Sequence, residues 1–314
     1  MQFFKRNRKA EGWLVLAAQG RHLCAASVIR GAGKPAVARA ACVEIAQSLP
    51  ATLEKMAKEL DAARYNCSHL LEAGEYQMVA VEAPNVPSNE LKTAIRWRLK
   101  DLLDFHVDDA TLDVLNIPAD KNAPTRSHSM YAVAARNQVV QKRQELFEQT
   151  RINLSVIDIP EMAQRNIAAL LETEGRALAL LSFDAQGGLL TFTAGGELYL
   201  ARRIDVSAEQ LTQADEAQRA TVLERIVLEV QRSLDHFERQ YHFISVVKLL
   251  LAPGGESISA LRNYLGSNLY LPVECIALQD VFDTSAAPWL ATPQAQQQMF
   301  LTLGAALRQE ERVL

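Results

Sequence analysis

Two segments far apart in the chain carry the same signal, an apolar strand that runs into a glycine turn. Residues 13–20 read WLVLAAQG and residues 178–187 read LALLSFDAQG, so both end in Ala-Gln-Gly. Each is followed by two further strand-like stretches joined by glycine turns, and then by a helical stretch. A plan of three strands and a helix that occurs twice predicts two related α/β domains that face each other.

The spacing of apolar residues and turn residues divides each half into short elements. The first half predicts strands at 12–18, 23–30 and 36–45, a helix at 50–63, and strands at 69–71 and 77–81. The second half predicts strands at 177–184, 189–194 and 197–206, a long helix at 220–241, and a buried strand that ends in the glycine turn at 249–255.

The stretch between the repeats has a different pattern and predicts an inserted subdomain. It begins with a helix that Ser88 would cap, and whose apolar stripe is Leu91, Ile95, Leu99 and Leu102. Further strands are predicted at 111–116, 129–134 and 154–159, with a helix at 139–150. The division that follows is a basic tail (1–10), a domain I core (11–84), the inserted subdomain (85–160), a linking helix (161–175), domain II (176–296) and a C-terminal helix that returns to domain I (297–314).

Composition excludes several classes of protein. The 33 basic and 37 acidic residues give a net charge of −4, which argues against a nucleic-acid surface. No apolar run reaches the roughly 18 to 20 residues that span a bilayer, and the N-terminus lacks a signal-peptide core, so we expect a cytosolic protein. Four widely spaced cysteines predict reduced, buried thiols rather than a disulfide or a zinc site.

Three glycine turns could approach a phosphate, because a backbone N–H can come close only where no Cβ intervenes. They contain Gly20, the pair Gly187 and Gly188, and the pair Gly254 and Gly255. One such turn alone is more often an ordinary hairpin. Two hairpin turns at corresponding places in a repeat, with a strand-to-helix turn after them, favour a nucleotide cleft.

Four segments give the chain a specific resemblance. They are residues 90–114, which begin ELKTAIRWRLKDLL, residues 131–160, the helix EVQRSLDHFERQ at 229–240, and residues 249–273 together with LGAALR at 303–308. The chain resembles the PilM family of type IV pilus assembly proteins, relatives of FtsA in the actin-like ATPase superfamily. The resemblance implies an α/β, actin-like (duplicated ribonuclease H-like) fold with an FtsA/PilM-type inserted subdomain.

The resemblance also implies a function in assembly. Members of the family bind the short N-terminal tail of a single-pass inner-membrane pilus protein (PilN-like), in a groove between the inserted subdomain and the domain I core. We therefore expect a protein at the inner face of the cytoplasmic membrane, peripheral to it through its partner, with Arg96, Trp97, Leu99 and Leu103 as candidate contacts. Trp97 could equally be an exposed anchor or a core residue.

Departures from the family pattern bear on catalysis. Ala18 stands where an actin-like ATPase has the aspartate that positions its metal, and Asp184 lies one residue early relative to the shared Ala-Gln-Gly. We therefore expect no catalytic residue, no metal ligand and no certain cofactor, that is, a pseudo-ATPase. Its degenerate nucleotide set would be Gly20, Arg21, Asp184, Gly187, Gly188, Gly254 and Gly255.

Three alternatives remain open at this point. ATP with Mg²⁺ could still bind without being hydrolysed. The chain could also be an active actin-like ATPase whose nucleotide state controls assembly. Finally, it could be the actin-like cytoplasmic domain of a type II secretion platform protein.

Overall fold

The computed structural model describes residues 12–87, 89–120, 129–213 and 215–309. The basic tail, the predicted cap Ser88 and the last residues of the predicted C-terminal helix lie outside this part of the chain. The elements of the first half are β1 (Trp13–Gln19), β2 (His22–Ile29), β3 (Ala36–Glu44), α1 (Leu49–Glu59), β4 (Asn66–Leu70), β5 (Tyr76–Glu82), α2 (Leu91–Leu99), β6 (Ala110–Asn116), β7 (Ser129–Arg136), α3 (Asn137–Gln149) and β8 (Leu154–Asp158).

The second half begins with a helix that links the two domains. Its elements are α4 (Pro160–Ala168), β9 (Ala177–Phe183), β10 (Gly188–Ala194), β11 (Glu197–Ile204), α5 (Ala208–Leu211), α6 (Glu216–Gln240), β12 (Val246–Leu251), α7 (Glu256–Asn268), β13 (Val273–Cys275), α8 (Leu278–Val281) and α9 (Pro293–Ala306).

The two large sheets have the same strand order, which confirms the predicted duplication. Domain I has the order β3-β2-β1-β4-β8, and domain II has the order β11-β10-β9-β12-β13. In each sheet the first three strands form an antiparallel meander, and the last two run parallel to the first. This is the duplicated ribonuclease H-like arrangement, in which the central strands are apolar because both of their faces are buried.

A third sheet, of order β5-β7-β6, forms the inserted subdomain. Two strands therefore belong to a different sheet from the one that the sequence division assigned. β5 pairs with β7 in the subdomain rather than with the domain I core. β8 pairs with β4 in the domain I sheet rather than with the subdomain. Local sequence signals a strand but not its partner, and both strands lie at the junction where the chain passes from one sheet to the other.

The helix α2 covers one face of the subdomain sheet. Ile95 and Leu99 are fully buried there, as the apolar stripe predicts. The predicted stripe is wrong at Leu102, whose side chain is 52% exposed. Leu103 packs against the apolar core of the subdomain instead. The helix ends at Leu99 and the chain turns, with the Leu102 N–H donating to the Leu99 carbonyl, so the helical period no longer decides which side chain points inward.

The two large sheets share a core through two helices. The linking helix α4 and the C-terminal helix α9 pack between strands of both sheets, and Ile167, Met299 and Leu303 are fully buried among side chains of β1 and β9. The helix α9 begins four residues before the predicted start at 297 and returns to domain I by packing on β1 and β2. It therefore positions side chains at the place where the two domains meet.

The prediction for the cysteines is wrong at two places. Cys24 and Cys42 lie directly opposite each other on the antiparallel strands β2 and β3, and a disulfide joins them. Cys275 is exposed rather than buried, whereas Cys67 is a buried free thiol. The spacing of 18 residues gave no sign of the pairing, because the register that brings the two residues together is set by the turn between the strands.

Candidate functional site

A cavity of about 440 Å³ lies between the two domains. Its walls come from the β1–β2 turn, the segment after β4, the β9–β10 turn and one side of α9. The first two glycine turns therefore face the same cavity, as a nucleotide cleft would require. Most of the lining is apolar or uncharged; the uncharged polar part includes Gln19, Gln186, Gln297 and Gln298.

The β1–β2 turn is too short to surround a phosphate group with backbone N–H groups. Gln19 pairs with His22, so only Gly20 and Arg21 lie between the two strands. The Gly20 N–H donates to Glu72 Oε1 at 3.2 Å. The Arg21 guanidinium pairs with Glu44 at 3.0 Å, with 86% of the arginine side chain exposed. The donor and the cation that could meet a phosphate therefore both face carboxylates of the same chain.

Ala18 lies at the end of β1, beside this turn, and its small side chain lines the cavity. A methyl group cannot hold a metal ion or its waters, which an anionic oxygen would do. The next residue, Gln19, donates from Nε2 to Thr302 Oγ1 on α9 at 3.1 Å. The first turn is thus tied to the C-terminal helix.

The carboxylate of the β9–β10 turn forms hydrogen bonds within the turn itself. Asp184 Oδ1 accepts from the N–H of Gln186 at 2.7 Å and of Gly187 at 2.9 Å. The Asp184 carbonyl also accepts from the Ala208 N–H at 2.8 Å, which ties the turn to α5. This is an Asx-type turn, and it takes two N–H groups that a phosphate would need.

The paired glycines of this turn have a packing reason. At Gly187, with φ at +152°, a Cβ would lie 2.8 Å from the Ile204 carbonyl oxygen. At Gly188 it would lie 2.9 Å from the ring of Phe183. Both positions therefore require glycine without any ligand.

The third glycine turn does not line the cavity. Gly254 and Gly255 are not among the residues that line it. A Cβ at Gly254 would meet Ile258 Cγ1 at 2.2 Å, so this glycine allows the first turn of α7 to pack closely. Gly255 is the N-cap of that helix.

The four residues predicted to bind a partner differ in how they are placed. Trp97 is 73% exposed on α2, which decides in favour of an exposed side chain. The guanidinium of Arg96 is engaged within the chain, because it donates to the carbonyls of Val107 and Ala110 and so fixes the chain after α2. Leu99 is fully buried and Leu103 partly buried in the subdomain core. Of the four, Trp97 is the one with most of its side chain in solvent.

Several residues of the site had no signal in the sequence. Glu72 reaches Gly20 across a separation of 52 residues, and α9 reaches Gln19 across 283. Contacts of this range depend on the tertiary packing of the whole chain, and no local spacing indicates them.

Neither a metal cluster nor a membrane helix is found in the part of the chain that the structure describes. Within those residues, no group of three or more histidine, cysteine, aspartate or glutamate side chains is placed to hold a metal ion. Likewise, no described helix has the length and hydropathy needed to span a bilayer.

Two duplicated sheets with a cleft between them, linked by α4 and α9, define an actin-like protein. The chain belongs to the PilM family, since the family model described as type IV pilus assembly protein PilM matches residues 23–218, more than half of the sequence. No curated protein matches the chain in sequence.

Solved structures agree with this fold. The structure described as a PilM-PilN type IV pilus biogenesis complex superposes with a TM-score of 0.74 at 20% identity, over 95% of this chain and 98% of that one. A Bacteroides thetaiotaomicron protein with an actin-like ATPase fold and unknown function superposes with a TM-score of 0.51 at 10% identity, over 93% and 99% of the two chains. At these identities the likeness concerns the fold.

Proposed function

We propose that this chain is a scaffold of a type IV pilus assembly machine, and that it binds the N-terminal cytoplasmic tail of a PilN-like inner-membrane protein without hydrolysing ATP. It would work in the cytoplasm, at the inner face of the membrane, held there by its partner. Family membership and the likeness to a PilM-PilN complex support the assembly role. The chemistry of the cleft supports the absence of catalysis.

One observation carries the proposal that the cleft is inactive. At the two hairpin turns, the groups that would meet a phosphate or its metal are missing or engaged within the chain: Ala18 replaces a carboxylate, Glu72 takes the Gly20 N–H, and Asp184 takes the N–H groups of its own turn. A triphosphate carries several negative charges and needs donors and cations at its site. Here it would meet two carboxylates and a largely apolar wall.

Thermal unfolding with ATP and Mg²⁺ tests the proposed inactivity, because a ligand that binds the native state raises its melting temperature. We expect no shift and no release of phosphate from the full chain. A shift of several degrees together with phosphate release would support an active ATPase instead. A shift without phosphate release would mean that nucleotide still binds.

The exposed face of α2 is our candidate for the partner site, with Trp97 as its anchor. A tryptophan that is 73% exposed leaves a large apolar surface in water, and buried aromatic side chains dominate many interfaces. Leu102, which follows the helix, is also exposed. A tail in the groove between the inserted subdomain and the domain I core would gain affinity from backbone hydrogen bonds and specificity from such side chains.

The partner site can be tested with a matched pair of variants. In Trp97→Ala we expect the affinity for tail peptides of inner-membrane pilus proteins to fall by about tenfold or more. Tyr270→Ala removes an aromatic side chain of similar exposure, 69%, from domain II and should leave the affinity unchanged. Equal affinities for the wild type and both variants would contradict the placement at α2.

Within the family we further propose that the nearest relative is MshI, the PilM-like protein of mannose-sensitive haemagglutinin (MSHA) pilus biogenesis. The support is the same set of segments that carries the family resemblance. Co-purification with inner-membrane proteins of an MSHA pilus, compared with those of other type IV pili, tests this assignment. Preferential capture of a different pilus system would contradict it.

A further inference from the structure

The inserted subdomain contacts domain II as well as domain I. On the domain II side, Ile117 and Tyr131 are buried in the same apolar cluster as side chains of β9, β10, β11 and α6. On the domain I side, Tyr76 and Ala135 are buried in another cluster, and Ile157 of β8 packs against it. The subdomain therefore joins the two domains through apolar contacts, in addition to the helices α4 and α9.

Tyr131 reaches the edge of the domain II sheet. β11 is the outermost of the described strands on its side of that sheet, so the backbone groups along its outer edge have no neighbouring strand to pair with. The Tyr131 hydroxyl donates to the Tyr199 carbonyl at 3.2 Å and accepts from the Ala201 N–H at 3.3 Å. Burial raises the pKa of Tyr131 to about 12, so at neutral pH the hydroxyl keeps the proton that it donates. A side chain of the subdomain thus forms hydrogen bonds with the edge of β11.

A buried polar network makes a second connection. Tyr76 on β5 donates its hydroxyl proton to Glu161 on α4. Arg203 on β11 donates to the Tyr76 oxygen at 2.8 Å and to Glu161 Oε1 at 2.9 Å. Glu161 is only 3% exposed, and separating a buried carboxylate from its partners is unfavourable because no water replaces them. The network therefore holds the subdomain, the linking helix and domain II together at one point.

These contacts restrict how the two domains can move. The subdomain is joined to domain I by the chain on both sides, after β4 and before α3. A rotation of domain II relative to domain I would pull β11 away from β5 and β7, so the hydrogen bonds of Tyr131 and Tyr76 would have to break. We propose that the inserted subdomain locks the two domains in one relative orientation, through Tyr131 and the polar network around Glu161, so that the cleft does not open and close. The lock does not depend on what the cleft or the exposed face of α2 binds.

Pulsed electron paramagnetic resonance on the full chain tests the lock by measuring the distance between two spin labels. One label goes on Cys275, the exposed cysteine of domain II, and the other on the exposed side of α1 in domain I, through Lys55→Cys. Cys67 is buried, and Cys24 and Cys42 are joined to each other, so these three sites should take no label. We expect one narrow distance distribution in this otherwise unchanged protein.

The same two labels are then placed in the double variant Tyr76→Phe/Tyr131→Phe, which removes both hydroxyls but keeps the rings. We expect a broader distribution or a second distance, since the loss of several hydrogen bonds should raise the population of other orientations by about tenfold or more. Tyr241→Phe is the matched control, because it removes a buried hydroxyl that donates to the same Tyr199 carbonyl from within domain II. It should leave the distribution unchanged. Tyr131→Phe alone serves if the double variant does not fold.

An unchanged distribution in the variant that lacks the hydroxyls would overturn the proposal. A broad distribution in the protein that keeps both tyrosines would also overturn it, as would an equal change in Tyr241→Phe. Because the measurement needs neither a peptide nor a nucleotide, its outcome is separate from the tests of the proposed function.

Discussion

The two glycine hairpins occupy equivalent places in sheets of identical strand order, yet they are held in different ways. The β9–β10 turn is stabilised by its own residues: Asp184 accepts hydrogen bonds from two of its N–H groups, and Gly187 lies too close to β11 to carry a side chain. The β1–β2 turn is stabilised by residues outside it: Gly20 donates to Glu72, and Gln19 donates to Thr302 on α9. The fold therefore tolerates quite different loop chemistry, because its sheets are stabilised by their buried apolar faces.

The two sheets also differ in the parallel strand next to the meander. We expect this difference to have the largest effect on stability, and to appear at low pH. β4 carries His69, which is 2% exposed, whereas the equivalent strand β12 has leucines at 249–251. Burial lowers the pKa of His69 to about 4, against the hydrogen bond from its Nδ1 to the Leu16 carbonyl at 2.7 Å. The unfolded state therefore binds the proton first, and stability falls as the pH drops from about 6.5 toward 4, by about 3 kcal/mol in all.

This acid effect can be measured by urea unfolding at a series of pH values. His69→Leu should flatten the decline, whereas His106→Gln, a change at an exposed histidine, should leave it in place. Hydrogen exchange at pH 5 should show the domain I sheet opening before the domain II sheet. A decline of equal slope in the His69→Leu variant would contradict the assignment.

The glycines of the two hairpins provide the next test. Gly187→Ala places a Cβ against a backbone carbonyl at positive φ, so we expect it to lower the free energy of unfolding by about 2 kcal/mol or more. Gly20→Ala, with φ at +56° and open space around its Cβ, should lower it by only about 1 kcal/mol. Denaturant unfolding of the two variants measures both values, and equal losses would contradict the difference between the turns.

Removing the carboxylate of the second turn should have a smaller effect. Asp184→Ala leaves the N–H groups of Gln186 and Gly187 without their acceptor, and we expect a loss of about 1.5 kcal/mol. Asp184→Asn keeps an oxygen at this position and should retain most of the stability. If Asp184→Ala is as stable as the wild type, the turn is not organised by this side chain.

The corresponding change in the first turn should have the smallest effect. Glu72→Ala removes a longer and more exposed hydrogen bond to Gly20, so we expect a loss of about 0.5 kcal/mol, which thermal unfolding can resolve against the wild type. A loss larger than that of Asp184→Ala would reverse the comparison of the two turns.

Local sequence signals were sufficient for most of the longer elements and for their duplication, but not for contacts between distant residues. The apolar strands, the turns and the long helix α6 follow from periodicity, and α6 begins at 216 rather than 220 because Asp215 caps it. The sheet membership of β5 and β8 could not be deduced, since pairing is a property of the whole chain. The same holds for the Cys24–Cys42 pair and for the contact of Glu72 with Gly20.

The candidate site was also predictable only in part, because some of its features depend on contacts that local sequence does not indicate. Ala18 and the two hairpin turns could be assigned to one cleft from the repeat alone. That the Asp184 carboxylate would bind its own turn depends on backbone geometry that no spacing reveals. The exposure of Trp97 depends on how α2 rotates over the subdomain sheet, and the apolar stripe settled only Ile95 and Leu99.

The most direct test of the central claim is to titrate the full chain with the tail peptide of an inner-membrane pilus protein, with and without ATP and Mg²⁺. A scaffold whose cleft does not use nucleotide should bind the peptide with the same affinity in both conditions. Coupling between two sites would change that affinity, typically by 5- to 150-fold. Equal dissociation constants would agree with the proposal, and a tenfold dependence on ATP and Mg²⁺ would contradict it.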